Sequence, residues 1–184
     1  MRPGGGHAKG SNFERDICRV LTKWITGESR PEIFWRTSTS GGKFTQEAKG
    51  GIRGKMPGDI MSIDKKGAWL LPPDGAFVLE CKNVRKVDFS RVLDGKGNLM
   101  EWWGKHYELC RSCGRRPMLI FKESVRKPMV MFSREDWVGF CSFLGNPSFS
   151  TMCFCLPELS LVCGLDSFLK WADSKALKHY FRSG

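Results

Sequence analysis

A chain of 184 residues, 41% hydrophobic and carrying seven Trp and thirteen Phe, has the length and apolar content to bury a core, which excludes a disordered polymer. Thirty Lys and Arg against nineteen Asp and Glu leave a net charge of +11, so the expected partner is a polyanion, nucleic acid before a membrane surface. No apolar run approaches the roughly 18 residues of a membrane span, and neither a signal peptide nor a basic amphipathic anchor is present, so a cytoplasmic protein with no membrane partner is expected.

In chain order, residues 1–10 read as a mobile basic lead-in. Ser11-Asn12-Phe13-Glu14 opens a helix whose apolar stripe is Phe13, Ile17, Val20, Leu21 and Trp24, with Gly27 ending it. Ser11-x-x-Glu14 has the form of a capping box, so Glu14 can be read as a cap or as support for a site. Glu32–Arg36 is the first strand. From Gly41 to Gly58 the chain holds six glycines and four cations, Lys43, Lys49, Arg53 and Lys55, against the single acid Glu47. Such a loop buries too little to order itself. Beside a nucleic-acid site its glycines allow close approach to phosphate and its cations neutralise the backbone; the plainer alternative is a solvated insertion.

Asp59–Ile63 is a second strand. Two turns, Asp64–Gly67 and Pro72–Gly75, lead to a third strand, Ala76–Asn83. Leu99–Cys113 reads as a helix closed by Gly114-Arg115-Arg116, Pro117–Phe121 and Pro128–Phe132 as strands, and Ser133 as the cap of a short helix through Phe143. A strand around Cys153–Leu156 and a last helix from Leu165 to about Ala176 complete the order. We see no internal repeat and expect one domain over 1–184.

The third strand carries the chemistry. Side chains alternate across a strand, so Phe77, Leu79 and Cys81 take a core face while Glu80 and Lys82 share the other with Val78. A charge pair at a strand end is expensive unless solvated or used. Asp59 on a neighbouring strand makes the set Asp…Glu-x-Lys, which suits phosphodiester hydrolysis: two carboxylates for a hard divalent cation and a lysine for the attacking water. A solvent-facing Glu and Lys is the plain reading of an isolated E-x-K.

Eight cysteines are spread along the chain. Cys18 and Cys81 fall in apolar patterns and behave as small buried hydrophobes, and a reducing compartment disfavours disulfides. His106, Cys110 and Cys113 with Cys153 and Cys155 have the donors of a zinc site, although Cys153-Phe154-Cys155 reads equally well as strand.

The order helix, three strands, helix, two strands resembles the PD-(D/E)XK nuclease superfamily, and within it the archaeal-type Holliday junction resolvases that some phages also carry. The resemblance rests on Lys9–Arg15, Arg36–Gly41, Gly58-Asp59-Ile60, Leu79-Glu80-Cys81-Lys82 and Gly114–Lys122 in that order. Gly58 rather than Pro precedes Asp59, the 41–58 loop is longer than the family's usual connection, and the segment after Phe132 has no match. The resemblance implies an α/β fold, a restriction-endonuclease-like core in which a central mixed β-sheet is flanked by helices.

It further implies a Mg²⁺-dependent endodeoxyribonuclease, with Mn²⁺ able to substitute, acting on branched DNA in recombination and repair. The implied catalytic set is Glu14, Ser40, Asp59, Glu80 and Lys82. Asp59, Glu80 and the Cys81 backbone carbonyl would hold the metal, with Glu14 supporting the site through a water or a second metal. DNA contacts fall to Arg36, Lys43, Lys49, Arg53 and Lys55. Resolving a junction requires two symmetry-related cuts, so a homodimer is implied, in the host cytoplasm if the chain is phage-encoded. Two alternatives share these residues: another nuclease of the superfamily with restriction, repair or nicking activity, and a non-catalytic DNA-binding protein. Loss of Asp, Glu or Lys would favour the second, and all three are present.

Overall fold

A computed structural model describes residues 5–37, 57–92, 94–154 and 160–183. The chain forms two compact units, Met1–Asn83 and Val84–Gly184.

The first unit lays a long helix, α1 (Gly5–Thr26), beside a small antiparallel sheet of β1 (Phe34–Arg36), β2 (Ile60–Ser62) and β3 (Phe77–Val84). The buried face of α1 is Phe13, Glu14, Ile17, Cys18 and Leu21, a spacing that puts all five on one side of a 3.6-residue helix. Val20 is 36% exposed and drops out of the predicted stripe. Gly27, at φ 84°, ends the helix, and its N–H donates to the Lys23 carbonyl at 2.8 Å.

One sequence expectation fails here. The helix starts at Gly5, not Ser11, so Ser11 lies inside it and cannot be its N-cap. Gly10 keeps helical backbone instead of the positive φ that would end a helix. A Ser-x-x-Glu pattern fits a helix interior as well as a helix start, and the extra turns before it turn the expected mobile lead-in into helix from Gly5 onward. Glu14 is thereby released from capping.

The register of the sheet pairs Trp35 with Met61 and Arg36 with Ile60, and then Ile60 with Leu79. Phe34, Ile60, Phe77 and Leu79 are fully buried, as is Val78, so the first half of β3 is apolar on both faces and only its end carries charge.

In the second unit α2 (Phe89–Val92) and α3 (Asn98–Ser112) precede β4 (Arg116–Glu123) and β5 (Met129–Ser133). There follow α4 (Arg134–Leu144), β6 (Met152–Phe154), β7 (Ser160–Gly164), α5 (Leu165–Trp171) and α6 (Ser174–Ser183). Strands β4, β5, β7 and β6 are neighbours in that order, each pair antiparallel. Val92, Leu99, Met100 and Trp103 meet Leu119, Phe121, Met131 and Val162 in the buried core. Ser133 caps α4 as expected, accepting from the Asp136 N–H at 3.1 Å.

Two expectations change in this unit. Ser160–Gly164 is a strand, which the residue pattern does not single out because its short apolar run abuts the next helix. The single helix over 165–176 is two helices, because Asp173 accepts from the N–H groups of Lys175 and Ala176, both at 3.0 Å, and so starts a new helix. Among the described residues no helix is long and apolar enough to cross a membrane.

Candidate active site

The site is built at one end of the first unit's sheet. Gly58 turns the chain into β2 at φ 89°, with no room for a side chain: a Cβ there would lie 2.8 Å from the Leu79 carbonyl oxygen and 2.9 Å from Val78 Cγ1. That explains why glycine precedes Asp59. The turn is tied down by Thr37, whose hydroxyl donates to the Gly58 carbonyl at 2.7 Å and whose N–H donates to the Asp59 carbonyl at 2.9 Å. Asp59 N–H in turn donates to Leu79 O at 2.8 Å.

So held, Asp59 is only 3% exposed, and its Oδ2 accepts the Cys81 backbone N–H at 2.8 Å. Burial, and next the Glu80 carboxylate, push its pKa up to about 7, with the Glu14 carboxylate adding to the rise. The Cys81 N–H and the Lys82 ammonium oppose the shift without cancelling it. Lys82 Nζ pairs with Glu80 Oε1, as expected of side chains two apart on one strand face. Burial alone would pull the Lys82 pKa down; Glu80 more than offsets it, with help from Asp59, and the ammonium is held above its ordinary value. The Cys81 thiol is pushed well up by burial and then by Asp59, Glu14 and Glu80, which leaves it inert. Cys18, from α1, is pushed up to about 12 by burial, with Glu32 and Glu14 adding.

Glu14 comes to this end of the sheet from α1, 8% exposed, and its Oε2 pairs with Arg36 Nε. The family resemblance assigns Arg36 to phosphate; in the folded chain it has a carboxylate partner. Glu14, Asp59, Glu80, Cys81, Lys82 and Arg36 are therefore assembled by the fold of one unit. Ser40, Lys43, Lys49, Arg53 and Lys55 lie outside the described residues. Thr37 is a site residue that sequence reasoning misses, since nothing distinguishes it from the neighbouring hydroxyls of Thr37-Ser38-Thr39-Ser40.

The set offers hard oxygens. Burial, and then the neighbouring Glu80 carboxylate, push the Asp59 pKa up to about 7, and a carbonyl is available on the same strand as Glu80. A divalent cation fits this chemistry, because its charge would offset the desolvation and the Glu80 repulsion that raise Asp59. Among the described residues no group of three His, Cys, Asp or Glu side chains is arranged to hold a metal by itself, so backbone oxygen or water would complete the shell. The same holds for the cysteines with zinc-ligand spacing: Cys110 Sγ lies 3.7 and 3.9 Å from the two His106 ring nitrogens, both residues in the core, and Cys155 lies outside the described residues.

An α/β fold with Asp59 at the entry to β2 and Glu80-x-Lys82 on the neighbouring β3 defines a PD-(D/E)XK nuclease core, restriction-endonuclease-like in class. The chain belongs to the family described as phage putative PDDEXK endonuclease, whose pattern it matches over residues 5–144. No curated protein matches it. Among solved structures it is similar to Hjc, a Holliday junction resolvase from the archaeal hyperthermophile Archaeoglobus fulgidus. That likeness has 12% identity and a TM-score of 0.34, covering 93% of this chain and 96% of that one.

Proposed function

We propose that the protein is a metal-dependent DNA endonuclease, and that its substrate is branched DNA, a four-way junction first of all. The observation that carries the nuclease reading is the buried Asp59 carboxylate, pushed up to about 7 by desolvation and by Glu80: a site built this way favours a bound cation over the bare charges. The substrate preference is supported by the ordered motifs over residues 9–122 and by the net charge of +11.

Asp59, Glu80 and the Cys81 carbonyl would hold Mg²⁺, with Mn²⁺ able to substitute, and the cation would stabilise charge on the phosphoryl and leaving oxygens. A bound cation would favour the ionised form of Asp59. Lys82, an ammonium, donates hydrogen bonds and so orients the attacking water; to accept that water's proton it must first lose its own, which requires Glu80 to be engaged elsewhere. Glu14 fixes Arg36 and adds negative charge near Asp59. Ser40 and the cations Lys43, Lys49, Arg53 and Lys55 serve the phosphates. One nuclease domain comprising both units, paired as a homodimer for two symmetric cuts, completes the proposal; the family match runs across the boundary between the units.

The test is cleavage with Mg²⁺ of a four-way junction, a Y-fork, a linear duplex and a single strand. Paired symmetric cuts in the junction are expected. Preferential cutting of linear duplex would assign the chain to restriction- or nicking-type activity instead. Glu80→Gln should lower the rate at least about a hundredfold while DNA binding is kept or slightly strengthened, since a negative charge near phosphate has gone. Cleavage at the wild-type rate by this variant would remove Glu80 from the site.

A further inference from the structure

Trp35 is 51% exposed on β1, an unusual position for so large an aromatic side chain on a short strand that begins with the fully buried Phe34. It stands opposite Met61, which is half-buried, and Ile63, two residues beyond Met61, is 56% exposed. Ile60 pairs with Leu79, so alternation puts their neighbours Met61 and Glu80, and with Met61 also Trp35, on the opposite face, while Thr37, two residues after Trp35, bonds to the Asp59 backbone. Trp35 thus shares one face of the sheet with Glu80, and it lies about two residues, roughly 7 Å along β1, from Thr37, which holds Asp59 in place.

We propose that Trp35 is a stacking platform for an unpaired nucleobase of the DNA strand whose phosphate is cut at Asp59 and Glu80. This rests on the nuclease reading above and adds a substrate feature to it. A separation of roughly 7 Å is about two base steps at the axial rise of duplex DNA and fewer in a more extended unpaired strand, so a strand held at the carboxylates presents a base one or two nucleotides away to the indole. A base in intact duplex has both faces covered and cannot stack there, whereas a base at a branch point or in a single strand can. The surplus of cations over the chain favours a nucleic acid as occupant of this surface over a second apolar protein face.

The test compares wild type, Trp35→Phe and Trp35→Ala for binding in EDTA to duplex and to DNA containing unpaired bases, at several salt concentrations. Trp35→Ala should weaken binding to the unpaired-base substrates about five- to a hundredfold, leave duplex binding nearly unchanged and leave the salt slope unchanged. Trp35→Phe should keep most of the affinity, and a 2-aminopurine placed one or two nucleotides from the cut should be quenched by wild type and not by Trp35→Ala. Unfolding temperatures should agree among the three, since the side chain is half in water. If wild type binds and cuts DNA while Trp35→Ala does both equally well on every substrate, the platform is refuted and the nuclease reading stands. A lowered salt slope, or a changed molecular mass in Trp35→Ala, also refutes it by assigning Trp35 to a charge-dependent or protein-protein contact. Failure of wild type to bind any DNA overturns the nuclease reading itself.

Discussion

At the scale of single residues, Asp59 makes the sharpest prediction. Its pKa is about 7 folded and near the ordinary 3.8 unfolded, so the native state binds the proton more tightly. The stability this contributes is complete below the unfolded value and is lost as pH rises through about 7, with a slope of at most about 1.4 kcal/mol per pH unit. Thermal denaturation without metal should therefore show a melting temperature that falls between about pH 5 and pH 8. Asp59→Asn should flatten that fall, and Mg²⁺ at the alkaline end should raise the melting temperature of wild type but not of the variant. Glu14 gives a second test. With Ser11 inside the helix, capping is no longer its role, and its carboxylate holds Arg36. Glu14→Gln leaves a half-buried guanidinium without its counter-charge, which should cost about 1–3 kcal/mol in chemical denaturation. If the charge also supports the metal, cleavage falls about tenfold or more and the Mg²⁺ requirement moves upward. Full activity at low Mg²⁺ with lowered stability would confine Glu14 to positioning Arg36.

At the scale of elements, the geometry of the site depends on how β2 enters the sheet. Gly58 has a positive φ and approaches both Val78 and the Leu79 carbonyl at distances a Cβ cannot share. Gly58→Ala should cost about 1–3 kcal/mol from backbone strain, with the steric clash adding to it. Asp59 is the next residue, so activity per folded molecule, measured on protein shown folded by circular dichroism, should fall as well. Ser133→Ala offers a control in the second unit. It removes the cap of α4 and should cost about 1 kcal/mol while leaving DNA cleavage intact at temperatures where the protein is folded.

At the scale of the molecule, a net charge of +11 governs association with DNA. Changing Lys43, Lys49, Arg53 and Lys55 together to Ala should weaken DNA binding and lower the slope of log K against log salt by about 0.9 for each duplex phosphate that is no longer neutralised. An unchanged slope would make the glycine-rich stretch an inert insertion. Family membership over residues 5–144 leaves the last segment, with β6, β7, α5 and α6, to be understood from its own packing. There Trp171 packs on Trp137 of α4 at 5.3 Å and Phe168 on Phe132 of β5 at 4.7 Å, an aromatic cluster that needs no ligand to account for it.

The charged end of β3, the aspartate at the start of β2 and the apolar spacing of α1 are all legible in the residues, because alternation and helical period are local rules. So is the cap at Ser133. What the chain alone leaves undecided is where long-range packing outweighs a local pattern. Ser11-x-x-Glu14 has the form of a helix start, yet helix begins at Gly5, since the pattern is equally compatible with a helix interior. Arg36 carries no mark of its partner, because Glu14 is 22 positions away and only the fold brings α1 beside β1. Gly58 looks like a departure from the motif until Val78 and Leu79 are seen to fill the space of a side chain. Asp59 has the composition of an ordinary carboxylate; its raised pKa exists only because tertiary structure removes water from it and sets Glu80 alongside.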